Sequence, residues 1–397
     1  MRTGIPDETV PQTDITLSMN WFEDTFGFVE GKSYQANQEQ FSLHNDENGV
    51  ILVSKPNSKR FRVGHFEVLS VADLKERVNS LAKESVDFEG RTSGLKFSNV
   101  IGSVKTYIQN RPGAVFQVAS QFNCLEMVGP VVTPNHGITQ YVLDKTQGPA
   151  CALACPGGTL FRNYFVNGSG QGTGGAQINT LSSVEKLLAS GIPSDDRTSA
   201  TKRPGTSCCP YWTMKNGYSL PQTPESMAAL NLRLNDDPGL LNSLRENVQV
   251  GIHWNVEVAS RKKQKSAAAV STSAESPPTV CQIFASACPV AYTKSTKSKD
   301  WAPFASMVLE GAYEATLAAA IVLSYSRKER VEVYLTSLGG GAFGNRRCWI
   351  NRALERALDL FRDAPLDVFL VSYSAVPADL KRLAAKKAKH QDSEERE

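Results

Sequence analysis

The chain has 397 residues, 41% apolar and 21% charged, with a formal net charge of +3. This is the composition of a soluble globular protein, long enough for one large domain or two ordinary ones, and it excludes fibrous and wholly disordered classes. A charge of +3 does not by itself indicate a nucleic-acid partner.

No basic n-region with an apolar core opens the sequence, so a secretory signal is not expected and a cytoplasmic location is. The longest apolar run, residues 315–323, is too short to span a bilayer, and no membrane is expected as a partner. The cysteines, Cys124, Cys151, Cys155, Cys208, Cys209, Cys281, Cys288 and Cys348, are scattered and read as reduced, half-buried thiols. Cys151 and Cys155 could share a helix face, yet no Cys or His pair at zinc spacing completes a set, so no metal is expected.

Residues 1–14 are polar, carry Pro6 and Pro11, and read as a loose lead-in. The aromatic stretch 20–28 reads as a short helix stopped by Gly27, its rings serving as a core anchor in preference to a base-stacking surface. From 40 to 71 apolar residues alternate through Phe41, Leu43, residues 50–53, Phe61, Val63, Phe66 and Val68, with polar breaks at 45–49 and 56–58. That pattern predicts a small antiparallel meander. Ser70 is placed to cap a helix through Leu74, Val78 and Leu81, with Asp73 completing an acidic capping box.

Residues 115–120 form an apolar strand that runs directly into Gln121, Phe122, Asn123, Cys124, Leu125 and Glu126. Open α/β sheets put ligand contacts at the C-terminal ends of their strands, and the amides of Gln121 and Asn123 can both donate to and accept from sugar hydroxyls. The competing reading is that Asn123 merely caps the next element. Residues 147–164 are small and uncharged until Arg162, which lets the backbone pack closely on a helix or a ligand. The Gly/Ser-rich loop 167–175 is expected to move, 182–188 to be a short helix, and 193–209 a polar loop.

A strand at 211–218 enters an Asn216-Gly217 turn, and helices follow at 224–234 and 238–245. In the strand 248–258, Ile252, Trp254, Val256 and Val258 share one face while His253, Asn255 and Glu257 share the other. Such a row lines a cleft or marks a half-exposed edge; the edge is the preferred reading. Residues 259–279 are expected to be a flexible insertion whose cluster 261–265 is either a nuclear address or a solvated loop. A strand at 281–286 pairs back antiparallel, 304–325 is the most buried helix, and 381–397 is a disordered charged tail.

Residues 331–373 organise the chain. A β-branched strand at 331–336 leads into Gly339, Gly340, Gly341, Ala342, Phe343, Gly344 and Asn345. A helix follows with Ile350, Ala353, Leu354, Ala357, Leu358 and Phe361 at spacings of three and four, then a parallel strand at 366–373. Glycines let backbone amides approach an anion ahead of a helix N-terminus, although a ligand-free turn has the same composition. No Gly-Lys-Ser/Thr follows, so this is not a Walker loop. Gly339, Gly341 and Gly344 fit GxGxxG, but too near the C-terminus for a second βα unit.

The segment 334–345 resembles the phosphate-binding loop of macrodomains and poly(ADP-ribose) glycohydrolase-like proteins, and 115–123 resembles their strand ending in an Asn-containing loop. Residues 147–163 then stand where that superfamily has its glycine-rich catalytic loop. Two departures are plain: 148–164 has no carboxylate where the glycohydrolases have paired glutamates, and residues 119–123 replace the usual Asn-Ala-Ala-Asn.

The resemblance implies an α/β fold: a three-layer α/β/α macrodomain-like mixed sheet with an N-terminal antiparallel meander. Residues 1–110 would elaborate a core at 111–380. Its implied ligand is ADP-ribose or an ADP-ribosylated macromolecule, with no cofactor, and the activity an ADP-ribosyl hydrolase. The implied contacts are Gln121, Asn123, Gly148, Gly339, Gly340, Gly341, Ala342, Phe343, Gly344 and Asn345, with Glu126 and then Glu257 as candidate catalytic carboxylates. A non-catalytic ADP-ribose reader, or an interaction protein whose glycine loop is only a turn, remains the alternative.

Overall fold

The computed structural model describes residues 19–173, 175–190, 209–259 and 277–394, with side chains to residue 388. Short helices α1 (Trp21–Phe26) and α2 (Tyr34–Gln38) precede β1 (Phe41–Asp46), β2 (Gly49–Ser54) and β3 (Arg60–Ser70). Then come α3 (Val71–Glu84), β4 (Lys96–Ile101), α4 (Val104–Asn110), β5 (Val115–Ala119), α5 (Gln147–Ala154), α6 (Pro156–Tyr164) and α7 (Ser182–Ser190). A hairpin, β6 (Trp212–Lys215) and β7 (Tyr218–Pro221), leads to α8 (Pro224–Asp236), α9 (Pro238–Glu246), β8 (Gln249–Glu257) and β9 (Thr279–Ala285). The order ends with α10 (Ala302–Arg327), β10 (Val331–Leu335), α11 (Arg347–Leu360), β11 (Leu366–Ser372) and α12 (Ala378–Glu394).

Local signals account for many of these boundaries. Gly27, at φ +81°, stops α1 and returns its N–H to the Glu23 carbonyl. Ser70 and Asp73 form the reciprocal capping box that starts α3. Asn216 and Gly217 both take positive φ in the two-residue turn between β6 and β7.

Nine strands form one sheet in the order β1-β2-β3-β8-β9-β5-β10-β11-β4. The β1–β2–β3 meander is antiparallel and continues through β8 to β9; from β9 to β4 every pairing is parallel. This mixed sheet is a three-layer α/β/α arrangement. Along β5, Val115 joins the cluster around α10, Phe116 and Val118 join the one around α4 and α5, and Gln117 reaches Thr316 of α10 at 3.0 Å. The aromatic rings of Phe116, Tyr334 and Phe369 stack across three adjacent strands on the α4 side.

The division into a 1–110 elaboration and a 111–380 core does not describe this sheet. β3 pairs directly with β8, and β4 forms the far edge beside β11. Nor is β8 an edge strand, since β3 and β9 flank it. A register shift between His253 and Val256, with Asn255 at φ +54°, breaks its alternation. His253 and Val256 therefore both face α6, where a Cβ on Gly158 would meet each of them within 3 Å.

α10 is long and apolar enough to cross a membrane by length and composition, but 89% of its apolar window is buried inside the protein. Its one fully buried charge, Glu314, is paired with Lys75 of α3 and Arg356 of α11.

The tail read as disordered is helical through residue 394. Leu380 and Leu383 lie three apart on α12 and are buried in the main core, while Lys386 and Lys387 pair with Glu355 and Asp359 of α11. Charge density hid this short apolar stripe. The lead-in at 1–14, most of the insertion (260–276), most of the loop 193–209 and residues 395–397 lie outside the described residues. In the loop 167–175, whose residue 174 lies outside the described residues, Gln171 donates to the carbonyls of Asn123 and Arg162.

Leu380→Ala should lower the unfolding free energy by about 2–4 kcal/mol in urea denaturation, the usual cost of emptying a buried leucine site. A change below about 0.5 kcal/mol would mean that α12 is not docked, because surface substitutions fall in that range.

Candidate functional site

The site begins where two parallel strands part. β5 feeds α5 on one face of the sheet and β10 feeds α11 on the other, which makes their boundary a topological switch point. β10 pairs with β5 only at Val333↔Val115 and Tyr334↔Phe116, whereas β9 stays paired along all of β5. Beyond Phe116, side-chain amides replace the missing ladder. The Gln147 side chain donates to the Gln117 carbonyl and accepts from the Ala119 N–H, both at 2.8 Å. The Gln117 side chain accepts from the Thr336 N–H at 3.3 Å.

A cleft of about 180 Å³ opens between the parted ends. Its walls are the ends of β5 and β9, the 126–128 segment, the start of α5, and the glycine loop after β10. Gly148 allows α5 to approach this closely, because a Cβ there would fall 1.9 Å from the Ala119 carbonyl oxygen.

The glycine loop closes on itself and leaves several donors free. Gly340 N–H bonds to Ser337, Gly344 N–H to Gly341 and Asn345 N–H to Gly339. The amides of Gly339, Gly341, Ala342 and Phe343 have no acceptor among the described residues, and Gly339 and residues 341–343 line the cleft. Across from them, the amides of Gln147 and Gly148 at the start of α5 are also free. Gly339, at φ +70°, has no room for a Cβ, which would sit 2.4 Å from Ala287. No Lys, Arg or His side chain lines the cleft among the described residues, while Glu126 and Asp144 do, so the donors it offers are backbone N–H groups of the loop and of a helix end.

Phe343 packs against Tyr218 and Tyr292 with ring centroids 5.4 and 5.5 Å apart, so one wall is aromatic. The floor is Glu126, only 1% exposed. Arg162 of α6, fully buried, brings Nη2 to 3.4 Å from its carboxylate, donates from Nε to the Cys124 carbonyl at 3.0 Å, and lies over the Phe284 ring. Burial pushes the Glu126 carboxyl up to about 7, against the opposing pull of Arg162 and a hydrogen bond from Tyr141. A carboxyl in that range can give or take a proton at neutral pH.

Of the residues singled out from the sequence, Glu126, Gly148, Gly339, Gly341, Ala342 and Phe343 meet at this cleft. Gln121 lines it too, but its amide is consumed by the backbone N–H and carbonyl of Met127. Asn123 does not line the cleft: its side chain accepts from Leu125 N–H and donates to Gln177 at 3.1 Å. Cys124, at φ +59°, makes the tight turn that turns Asn123 inward.

Gly340 and Gly344 do not line the cleft; Gly344 packs on Ala291, and the Asn345 amide braces the loop through the Cys288 and Gly339 carbonyls. Glu257 sits at the opposite end of β8, next to Thr279, where it accepts from the Arg62 N–H at 2.7 Å. Tyr218, Tyr292, Asp144 and Gln147 complete the walls and were not singled out. Only Gln147 carried a local signal, as an uncharged amide just before the small-residue run 148–160.

The carboxyl carbon of Glu126, followed by NMR, should titrate with a midpoint of about 7. Arg162→Gln should move that midpoint upward, because the guanidinium opposes the rise. An unfolded glutamate titrates near about 4.3. The folded state therefore holds the proton more tightly, and this stability is present below about 4.3 and lost as pH rises through about 7. Relative to the wild type, Glu126→Gln should gain stability across that window; a pH-independent difference would mean that the carboxyl is not perturbed.

No protein-family model matches the sequence, and no curated protein matches it. Among solved structures, the chain is similar to a crystal structure of poly(ADP-ribose) glycohydrolase from Deinococcus radiodurans in complex with ADP-ribose. That match has 10% identity over 82% of this chain and 93% of the other, with a TM-score of 0.37. It is also similar to the Thermomonospora curvata enzyme, at 11% identity over 89% and 96% of the two chains with a TM-score of 0.39. The same enzyme bound to the inhibitor ADP-HPD matches at 11% identity over 90% and 96%, with a TM-score of 0.36. The chain thus resembles poly(ADP-ribose) glycohydrolases along most of its length, at a level of likeness that assigns no role to any residue.

Proposed function

We propose that the cleft binds ADP-ribose or a related nucleotide diphosphate sugar and hydrolyses an ADP-ribosyl bond, with Glu126 as the proton-transfer group. The observation that carries this is the pairing of unpartnered amides on two facing walls with a buried carboxylate beneath them. A diphosphate fits between Gln147 and Gly148 on one side and Gly341, Ala342 and Phe343 on the other. Neutral donors bind it without any cation, as helix ends and backbone nests do.

At about 180 Å³ the cleft is smaller than the roughly 300–1,000 Å³ that encloses a drug-sized molecule. It takes the diphosphate and the distal ribose, and the adenosine end extends over Tyr292 and Phe343 toward the rim. In hydrolysis, water adds to the anomeric carbon as the bond to the leaving oxygen breaks. One proton leaves the water and one reaches the leaving group, and a carboxyl titrating at about 7 can serve either transfer. Asn123 does not line the cleft, and the Gln121 amide, which does, is held by the Met127 N–H and carbonyl, so neither is needed for sugar recognition in this reading.

A non-catalytic reader is the second reading. It is favoured by the Glu126 carboxylate being nearly inaccessible and already engaged by Arg162 and Tyr141.

Thermal melting with ADP-ribose tests binding: at about a hundredfold over the dissociation constant, the ligand should add about 2.7 kcal/mol. Gly341→Val should melt like the wild type without ligand, since a Cβ there meets nothing within 4 Å, and should lose the ligand-induced shift. No shift with the wild type would return the glycine loop to a mere turn. Glu126→Gln separates the other two readings: the hydrolase loses turnover and keeps the shift, whereas a reader has no turnover to lose.

A further inference from the structure

Beside the cleft, two segments distant in sequence join. Ala291 N–H donates to the Phe343 carbonyl at 3.0 Å, and Arg346 Nε donates to Ser298 Oγ at 3.0 Å. This contact lays 291–301 along the exit of the glycine loop. It gathers Lys294, Lys297, Lys299 and Arg346, all exposed and none within salt-bridge distance of a carboxylate among the described residues. Asp300, the acid within this segment, is turned back to accept from the Lys297 N–H at 2.8 Å, and Arg347 is neutralised by Asp379. The chain as a whole carries only +3, so a run of four such cations along one rim is a local concentration of charge.

From this geometry we infer that the rim binds a single-stranded polynucleotide, whose phosphates lie along Lys294, Lys297, Lys299 and Arg346 and whose end nucleotide reaches Tyr292 and Phe343. A cationic track leading to aromatic faces is the arrangement that holds single strands without base-edge contacts. Tyr292 and Phe343 belong to both the rim segments and the cleft wall, so the track runs into the cleft. An anionic membrane would also seek the charge. However, no large apolar side chain is exposed in 291–301 or 343–352 to enter a bilayer, and Thr293, Thr296 and Ser298 stand there instead. The inference goes beyond the nucleotide-sugar reading and stands without it.

The test is fluorescence anisotropy of labelled oligo-deoxythymidylate with the full chain at several salt concentrations. Four phosphate contacts predict an affinity that falls roughly 50-fold between about 50 and about 200 mM salt. The triple variant Lys294→Glu, Lys297→Glu, Lys299→Glu should bind much more weakly and retain only about a threefold salt dependence. A control with Lys32→Glu, Lys83→Glu and Lys186→Glu carries the same net charge at exposed sites elsewhere and should bind like the wild type. The inference is overturned if oligonucleotide does not bind, if both triple variants lose binding equally, if neither does, or if only anionic vesicles or poly(ADP-ribose) bind. The ADP-ribose melting shift of the rim variant is read in parallel, so failure of the strand site and failure of the cleft are seen separately.

Discussion

The separation of β5 from β10 after two paired residues is the constraint on which the site depends. Two parallel strands that fan apart in a buried sheet expose N–H and C=O groups that cost free energy unless paired. Here Gln147 and Gln117 satisfy them with side-chain amides, and the opening is thereby stable rather than strained. The same two side chains tie the start of α5 and the first residue of the glycine loop to β5, so both walls are referenced to one strand. Gly148 then brings α5 against Ala119, and Gly339 brings the loop against Ala287.

Beneath this opening Arg162 is fully buried and its partner Glu126 meets the cleft with only 1% of its surface exposed. A buried ion pair is poor evidence for added stability, because desolvating both charges offsets much of their attraction. The separation of 3.4 Å is long for a charge-assisted bond, and Arg162 spends its better hydrogen bond on the Cys124 carbonyl. The arrangement therefore leaves Glu126 easily protonated while holding it in one orientation. The pair also links α6 to the cleft floor although α6 does not line the cleft.

Much of the fold was legible in the sequence because it rests on short-range rules. The capping box at Ser70, the stop at Gly27, the Asn216-Gly217 hairpin and the βαβ unit from Val331 to Ser372 each follow from residues close together in the chain. The place of the glycine loop, between β10 and α11, follows from the same short-range rules. What failed was decided at long range. Whether the Gln121 and Asn123 amides face a ligand depends on Met127 and Gln177, and the faces of β8 depend on a bulge at Asn255 that alternation alone cannot show. Tyr218 and Tyr292 come from a hairpin and a loop that meet Phe343 only in the folded chain. Of the basic rim, Lys294, Lys297 and Lys299 stand within six residues of one another, and only their junction with Arg346 is decided by the fold.

At the centre of this account are a few backbone nitrogens that no acceptor among the described residues uses. Amide-resolved NMR during titration with ADP-ribose observes them directly. The account predicts the largest shifts at Gly339, Gly341, Ala342, Phe343, Gln147 and Gly148, with Asn123 and Glu257 nearly unmoved. Shifts that cluster away from these six amides, or a saturating ligand that leaves them unchanged, would contradict it.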